Sequence, residues 1–116
     1  MKYALLIYGS EQFVSEMTAE EGEKMLEKHL STRGKMEASG EFVGSARLEP
    51  THDAVTVSAD EDGYPLVTDG PFAETKEQFL GYYVVECESI EKAAEYAKGL
   101  PLKKHKVEVR PIGWCL

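Results

Sequence analysis

Two stretches of the chain are apolar without regular alternation, and both are predicted to be strands buried on two faces. The first, KYALLIY, spans residues 2–8, and the second, QFLGYYVVEC, spans residues 78–87. A strand with one face in water normally alternates apolar with polar residues. The two segments are therefore expected in the middle of a sheet.

Further segments predict strands in less buried positions. EFVGSARLE, residues 41–49, is a β-prone run closed by Pro50. KVEVRPI, residues 106–112, alternates charged and apolar residues, which favours a strand nearer the sheet edge. Between them, residues 54–68 predict a β-hairpin, because two β-prone runs flank turn residues at positions 60–63.

Two segments predict helices. In MTAEEGEKMLEKHLSTRGKMEASG, residues 17–40, Thr18 and Glu21 have the spacing of a capping box, in which each side chain bonds the other's backbone N–H. The apolar residues expected to face the core are Met25, Leu26, Leu30 and Met36. SIEKAAEYAKGLP, residues 89–101, predicts a second helix with Ser89 as its N-cap.

The order of elements is βαβ, an inserted hairpin, and βαβ again. This order predicts an α+β, ferredoxin-like (βαββαβ) fold: an antiparallel sheet with two helices on one face. The chain of 116 residues is long enough for one domain, residues 1–116. Because two helices cover only one face of the sheet, a second copy of the chain is expected to cover the other in a homodimer.

Composition narrows the class of partner. Thirteen basic and twenty-one acidic residues give a formal charge of −8, which argues against nucleic acid or an anionic membrane as the main partner. No run reaches the roughly 18 apolar residues that a membrane span needs. The first segment is interpreted as a strand and not a signal peptide. Cys87 and Cys115 form no C-x-x-C pattern and are expected to be free thiols in the cytoplasm.

His29 and Asp69 are the candidate catalytic residues. His29 borders the apolar face of the first helix, where an imidazole can exchange a proton near neutral pH; the alternative is a histidine that packs and makes one hydrogen bond. Asp69 opens a turn and can present a carboxylate or simply stabilise the turn. Gly70 precedes Pro71 and is expected to be extended, which stiffens this corner. If Asp69 faces His29, its charge raises the pKa of that histidine.

Arg33 and Phe72 are candidate substrate contacts. Arg33 lies one helical turn after His29 and can bind a carboxylate, or it can pair with a nearby Glu on the surface. Phe72 is expected to anchor the turn in apolar surroundings. The sequence contains no paired-histidine spacing and no Gly-rich phosphate loop, so no metal or cofactor is predicted.

The segment DGPFAETKEQFLGYYVVE, residues 69–86, resembles the signature of the DGPF family, a branch of the YCII-related proteins. MKYALLIYG, ASGEFVGSARLEP and VEVRPI extend the resemblance along the chain. It implies a dimeric, α/β-barrel-like assembly of ferredoxin-like subunits in the bacterial cytosol.

The resemblance also bears on the site. YCII relatives carry a helix histidine eleven residues before the helix-ending Gly, which corresponds here to His29 and Gly40. Their second site residue is an aspartate before a Pro that follows the second helix. Leu100 stands at that position, so Asp69 is inferred as the substitute carboxylate.

The resulting functional hypothesis is acid–base chemistry, without a metal, on a small acidic or lactone-like metabolite, or binding of such a metabolite. Some YCII relatives look like muconolactone-type isomerases or dehalogenases, which supplies the reaction class. Family members often stand beside extracytoplasmic-function sigma factors, so a non-catalytic regulatory partner is the alternative. A haem-degrading or cofactor-free monooxygenase shares only the fold.

Overall fold

The computed structural model describes residues 1–114. Its elements follow the order β1 (Lys2–Gly9), α1 (Glu11–Ser15), α2 (Ala19–Ala38), β2 (Phe42–Arg47), a 3-10 turn (Thr51–Asp53), β3 (Val55–Ala59), β4 (Pro65–Asp69), β5 (Gln78–Glu86), α3 (Ile90–Lys98) and β6 (His105–Pro111).

The strands form a mixed α+β architecture with two antiparallel sheets. The main sheet has the order β2-β5-β1-β6, and β3 pairs with β4 in a separate hairpin. β1 and β5 are the central strands, as their unbroken apolar character predicts. The arrangement is consistent with the predicted ferredoxin-like fold, and β6 lies at the sheet edge as expected.

Helix starts follow the local sequence closely. Thr18 Oγ1 accepts from the backbone N–H of Glu21 at 3.2 Å, and the Glu21 carboxylate accepts from the Thr18 N–H at 3.0 Å, which confirms the capping box. Ser89 caps α3 as predicted. The sequence pattern did not predict α1, a five-residue helix. Ser10 caps it, because its Oγ accepts a hydrogen bond from the Phe13 N–H.

The buried face of α2 differs from the predicted one. Leu26 and Leu30 are 57% and 59% exposed, so their assignment to the core was wrong. The stripe that faces the sheet consists instead of Met25, His29, Thr32 and Met36. Spacings of four, three and four residues keep these side chains on one line of a helix with 3.6 residues per turn. His29 therefore lies within the stripe and not at its border.

The hydrophobic core lies between the main sheet and the helices. Its fully buried side chains are Leu5, Met36, Val85 and Leu100. Along β1, buried and partly exposed residues alternate, so every second side chain faces the core. Cys87 is a buried free thiol, whereas the prediction for Cys115 lies outside the described residues. Among residues 1–114, no helix is both long and apolar enough to span a bilayer.

The other side of the main sheet carries no helix of residues 1–114, and we call it the open face. On the two central strands its apolar side chains are Ala4, Leu6, Tyr8, Phe79, Tyr82 and Val84. Strict alternation along β5 predicts that Phe79 shares a face with Gly81, but the register shifts between Ile7 and Tyr8. Phe79 consequently pairs with Tyr8, and their ring centroids lie 5.5 Å apart.

Candidate functional site

The candidate site is built on a contact between α2 and β5. His29 Nδ1 lies 2.8 Å from the Tyr83 hydroxyl, and the two rings stack with centroids 5.8 Å apart. Tyr83 is buried on a central strand, where it pairs with Leu5 and Ser45. A phenol fixed by the sheet therefore orients an imidazole that the helix supplies.

Burial shifts the pKa of both partners toward their neutral forms. It lowers the pKa of His29 from the ordinary value of 6.5, with smaller contributions in the same direction from His105 and Arg47. It raises the pKa of Tyr83 above 10.0, and the charge of Arg33 opposes this shift. Near pH 7 the pair thus consists of a neutral imidazole and a protonated phenol.

The charged groups that act on this pair are cationic. Arg47 lies on β2 opposite Gly81 of β5. No carboxylate of residues 1–114 forms an ion pair with Arg47, in a chain whose net charge is −8. Arg33 differs, because its guanidinium bonds the Glu37 carboxylate at 2.8 Å and lies 4.5 Å from the Phe42 ring centroid.

Gly81 allows β2 to approach β5 closely beside the site. A Cβ at this position stands only 2.6 Å from the backbone oxygen of Ala46 and 3.3 Å from the Cα of Arg47. Any side chain there displaces the strand that carries Arg47. Gly81 thus helps to set the position of Arg47 beside the site.

His105 acts on the site through its charge, which helps to lower the pKa of His29. It is buried at the start of β6 and pairs with Gly9 of β1. Its Nδ1 lies 2.7 Å from the backbone oxygen of Lys103, so this nitrogen carries a proton and donates it. The ring also packs edge-on against Phe13 with 6.0 Å between centroids.

The other predicted site residues lie on or beside the hairpin. Asp69 is the last residue of β4, exposed and paired with Val55; it is not among the groups that bond His29 or shift its pKa. The pKa of His29 is lowered, not raised as a facing carboxylate predicts. Phe72 is 89% exposed, so it does not anchor the corner within one chain.

The expectation for Gly70 was also wrong. It has φ +89°, in the region that favours glycine, and not an extended conformation. Its N–H donates to the Ala54 carbonyl at 2.7 Å, while its own carbonyl accepts from the Thr56 hydroxyl at 2.8 Å. These bonds to the hairpin explain the conformation, because they turn the backbone sharply before Pro71.

Leu100 stands at the position where the family resemblance predicts an aspartate. It is almost completely buried after α3, as part of the core. It follows Gly99, where a Cβ would stand only 2.7 Å from the hydroxyl of Thr32, which lies about one turn along α2 from His29. An apolar side chain here stabilises packing in place of a carboxylate beside the helix.

Tyr83 and Arg47 are the functional candidates that sequence reasoning missed. In the sequence, Tyr83 is an ordinary residue of a predicted central strand, and Arg47 is one residue of a β-prone run. Only the alternation of β5 hinted at Tyr83, because it places Tyr83 on the same face as Val85. The bond of Tyr83 to His29 depends on the orientation of α2, which only the structure gives.

The candidate site is defined by the hydrogen bond and the ring stacking between His29 and Tyr83. Two open grooves lie on the surface. Tyr8 and Lys106 are among the residues that line the first, of about 400 Å³, and Lys28 and Thr32 are among those that line the second, of about 480 Å³. Neither is lined by His29. Across residues 1–114, no three His, Cys, Asp or Glu side chains cluster as metal ligands.

The lowered pKa of His29 predicts a pH dependence of stability. Well above about pH 6.5 the imidazole is neutral in both the folded and the unfolded state. As the pH falls through the unfolded-state pKa, the unfolded chain binds a proton that the folded chain does not, so the free energy of unfolding decreases until the folded-state pKa is reached. We expect His29→Gln to remove part of this decrease in urea unfolding at pH 7.5 and 5.5.

His52 provides the matched control for that measurement. It is an exposed histidine in the 3-10 turn. His52→Gln is expected to keep the full decrease of the wild type. Identical pH dependence in the wild type and in His29→Gln contradicts the prediction.

Comparisons with known proteins show the family of this chain. The profile of the YCII-related domain matches residues 1–113. An uncharacterized protein of Rhizobium meliloti (strain 1021) is 37% identical over 115 residues, which cover 97% of this chain and 92% of that protein. Both matches extend over nearly the whole chain, so the protein belongs to the YCII-related family.

Proposed function

We propose that this protein, within the DGPF branch of its family, binds a small acidic or lactone-like metabolite and carries out acid–base chemistry on it at His29. The observation that carries the proposal is the hydrogen bond between His29 and Tyr83. The regulatory alternative, a partner of a sigma factor, stays a prediction, since no feature of residues 1–114 favours it.

The hydrogen bond determines which ring nitrogen is available to a ligand. Tyr83 occupies Nδ1, and Nε2 makes no hydrogen bond within residues 1–114. Nε2 is therefore the nitrogen that faces a ligand, and it accepts a proton in the tautomer in which Nδ1–H donates to the Tyr83 oxygen. The lowered pKa keeps much of the imidazole neutral at pH 7, which is the form that a general base requires.

The surrounding charge supports an anionic ligand. Arg47 lowers the pKa of His29, so its charge reaches the imidazole. A ligand carboxylate can pair with this guanidinium in a two-bond geometry. Arg33 acts on Tyr83 but is already bonded to Glu37, which makes it the secondary candidate for the same carboxylate.

An NMR titration tests the binding step. Succinate is added to the protein, with dimethyl succinate as the uncharged match. We expect the ring signals of His29 and Tyr83 to shift with succinate and to stay unchanged with the ester. Arg47→Gln is expected to weaken the response, whereas Arg110→Gln, on the edge strand β6, leaves it intact. Equal responses to the acid and the ester contradict the anionic site.

Deuterium exchange tests the chemical step. A lactone with a carboxylate substituent is incubated with the protein in D2O, and loss of the proton next to its carbonyl is followed by ¹H NMR. His29→Gln is expected to abolish exchange above the buffer rate. Exchange that persists in this variant assigns the proton transfer to another group.

We also propose that a second copy of the chain covers the open face. Six apolar side chains lie there on β1 and β5, with no helix of residues 1–114 above them. An apolar sheet face of this kind is normally covered, and a two-fold pair is the commonest way to cover it. The mass in solution, measured by light scattering, is expected to be twice that of one chain.

A further inference from the structure

The β3–β4 hairpin has one apolar and one polar face. Directly opposite residues of an antiparallel pair share a face, and Val57 stands opposite Val67 while Val55 stands opposite Asp69. On the other face Thr56 opposes Thr68, and Ser58 opposes Leu66. The face with three valines is the one expected to be buried, yet Val57 and Val67 are 67% and 62% exposed.

The apolar face of the hairpin is therefore exposed, although its pattern predicts that this face is buried. A two-stranded hairpin with both faces in water is marginally stable at best. The hydrogen bonds of Gly70 to Ala54 and Thr56 close the base of the hairpin, since all three residues belong to it. We call residues 54–72 the arm; it includes Phe72, the large apolar side chain with 89% exposure.

The dimensions of the molecule show that the arm extends sideways. The radius of gyration is 16.3 Å, against about 13 Å for a compact domain of this length. The molecule measures 49 × 39 × 17 Å. The smallest dimension is filled by one sheet and one layer of helices, so the arm forms no third layer over the open face of its own chain.

A second copy of this chain offers an uncovered apolar surface against which the arm can pack. The chain has two uncovered apolar surfaces, the open face and the arm, and a two-fold pair can cover both through one continuous interface. The arm carries Asp60, Glu61, Asp62 and Asp69 and no basic residue. At the rim of the open face, β6 carries Lys106 opposite Tyr8, Glu108 opposite Leu6 and Arg110 opposite Ala4. Lys106 is ion-paired with Glu77 at 3.0 Å, whereas Arg110 forms no ion pair among residues 1–114.

We infer that the arm docks on a second copy of the chain through Val55, Val57 and Val67, beside the border of that copy's open face. The inference rests on the dimer proposed above. It also places Asp69 at the boundary between the two copies, because Asp69 shares the valine face. The arm is thus an inter-subunit element and not a passive insertion.

Two adjacent substitutions on opposite faces of β3 test the inference. Val57→Lys places a charge on the apolar face, and Ser58→Lys places the same charge on the polar face. We expect Val57→Lys to weaken self-association, measured by sedimentation equilibrium, by about tenfold or more. Ser58→Lys is expected to change the dissociation constant by less than about twofold.

A second measurement on the unmodified chain covers the case in which Val57→Lys does not fold. Methyl-labelled and unlabelled copies are mixed, and isotope-filtered NOEs between copies are recorded. Contacts from the Val57 and Val67 methyl groups to the unlabelled copy support docking. A dimer without them overturns the arm inference alone, and a monomer at all concentrations overturns it together with the dimer.

Discussion

Leu5→Ala is expected to lower the free energy of unfolding by about 3 kcal/mol, within the 2–5 kcal/mol range of buried leucine truncations. Leu5 is completely buried on the central strand β1, between Tyr83 on one neighbouring strand and Val109 on the other. Both neighbouring strands are held by backbone ladders, so the structure cannot close the cavity easily.

Leu26→Ala is the matched control, with the same chemical change at a position exposed to solvent on α2. It is expected to change stability by less than about 0.5 kcal/mol. Urea unfolding of both variants measures the difference. Similar losses in the free energy of unfolding of the two variants mean that Leu26 is buried in solution. They contradict the assignment of the stripe of α2 that faces the sheet and includes His29.

Tyr83→Phe is expected to abolish the ligand response of His29 and to lower stability by about 1–3 kcal/mol, the cost of leaving a buried polar group without a partner. The phenyl ring keeps the stacking with the imidazole, but Nδ1 loses its bond to the hydroxyl. The ring of His29 is then free to change its tautomer and orientation. The succinate titration and the exchange assay both report this loss.

Tyr82→Phe is the control for the hydroxyl. Tyr82 is the neighbouring residue on β5 and faces the open side of the sheet, away from α2. Its change is expected to leave the His29 signals and the exchange rate unchanged. A Tyr83→Phe variant that binds succinate like the wild type contradicts the proposed role of the hydroxyl.

The sequence alone determined those features that depend on neighbouring residues. The capping box of Thr18 and Glu21 joins groups three residues apart, so its geometry follows from local sequence. The unbroken apolar runs of β1 and β5 predicted central strands, because burial on two faces leaves no position for polar side chains. His29 was likewise a candidate from its place on a helix and from the family resemblance, and its catalytic role stays a prediction.

The tertiary structure decided what lies opposite each element. The rotation of α2 placed His29 and Thr32 against the sheet and Leu26 in solvent, because total packing between layers, and not the apolar character of single residues, sets a helix's orientation. The bulge at Tyr8 moved Phe79 to the open face through a register that depends on another strand. The bond between His29 and Tyr83 spans 54 positions along the chain, so only the packing of α2 on β5 brings these two residues together.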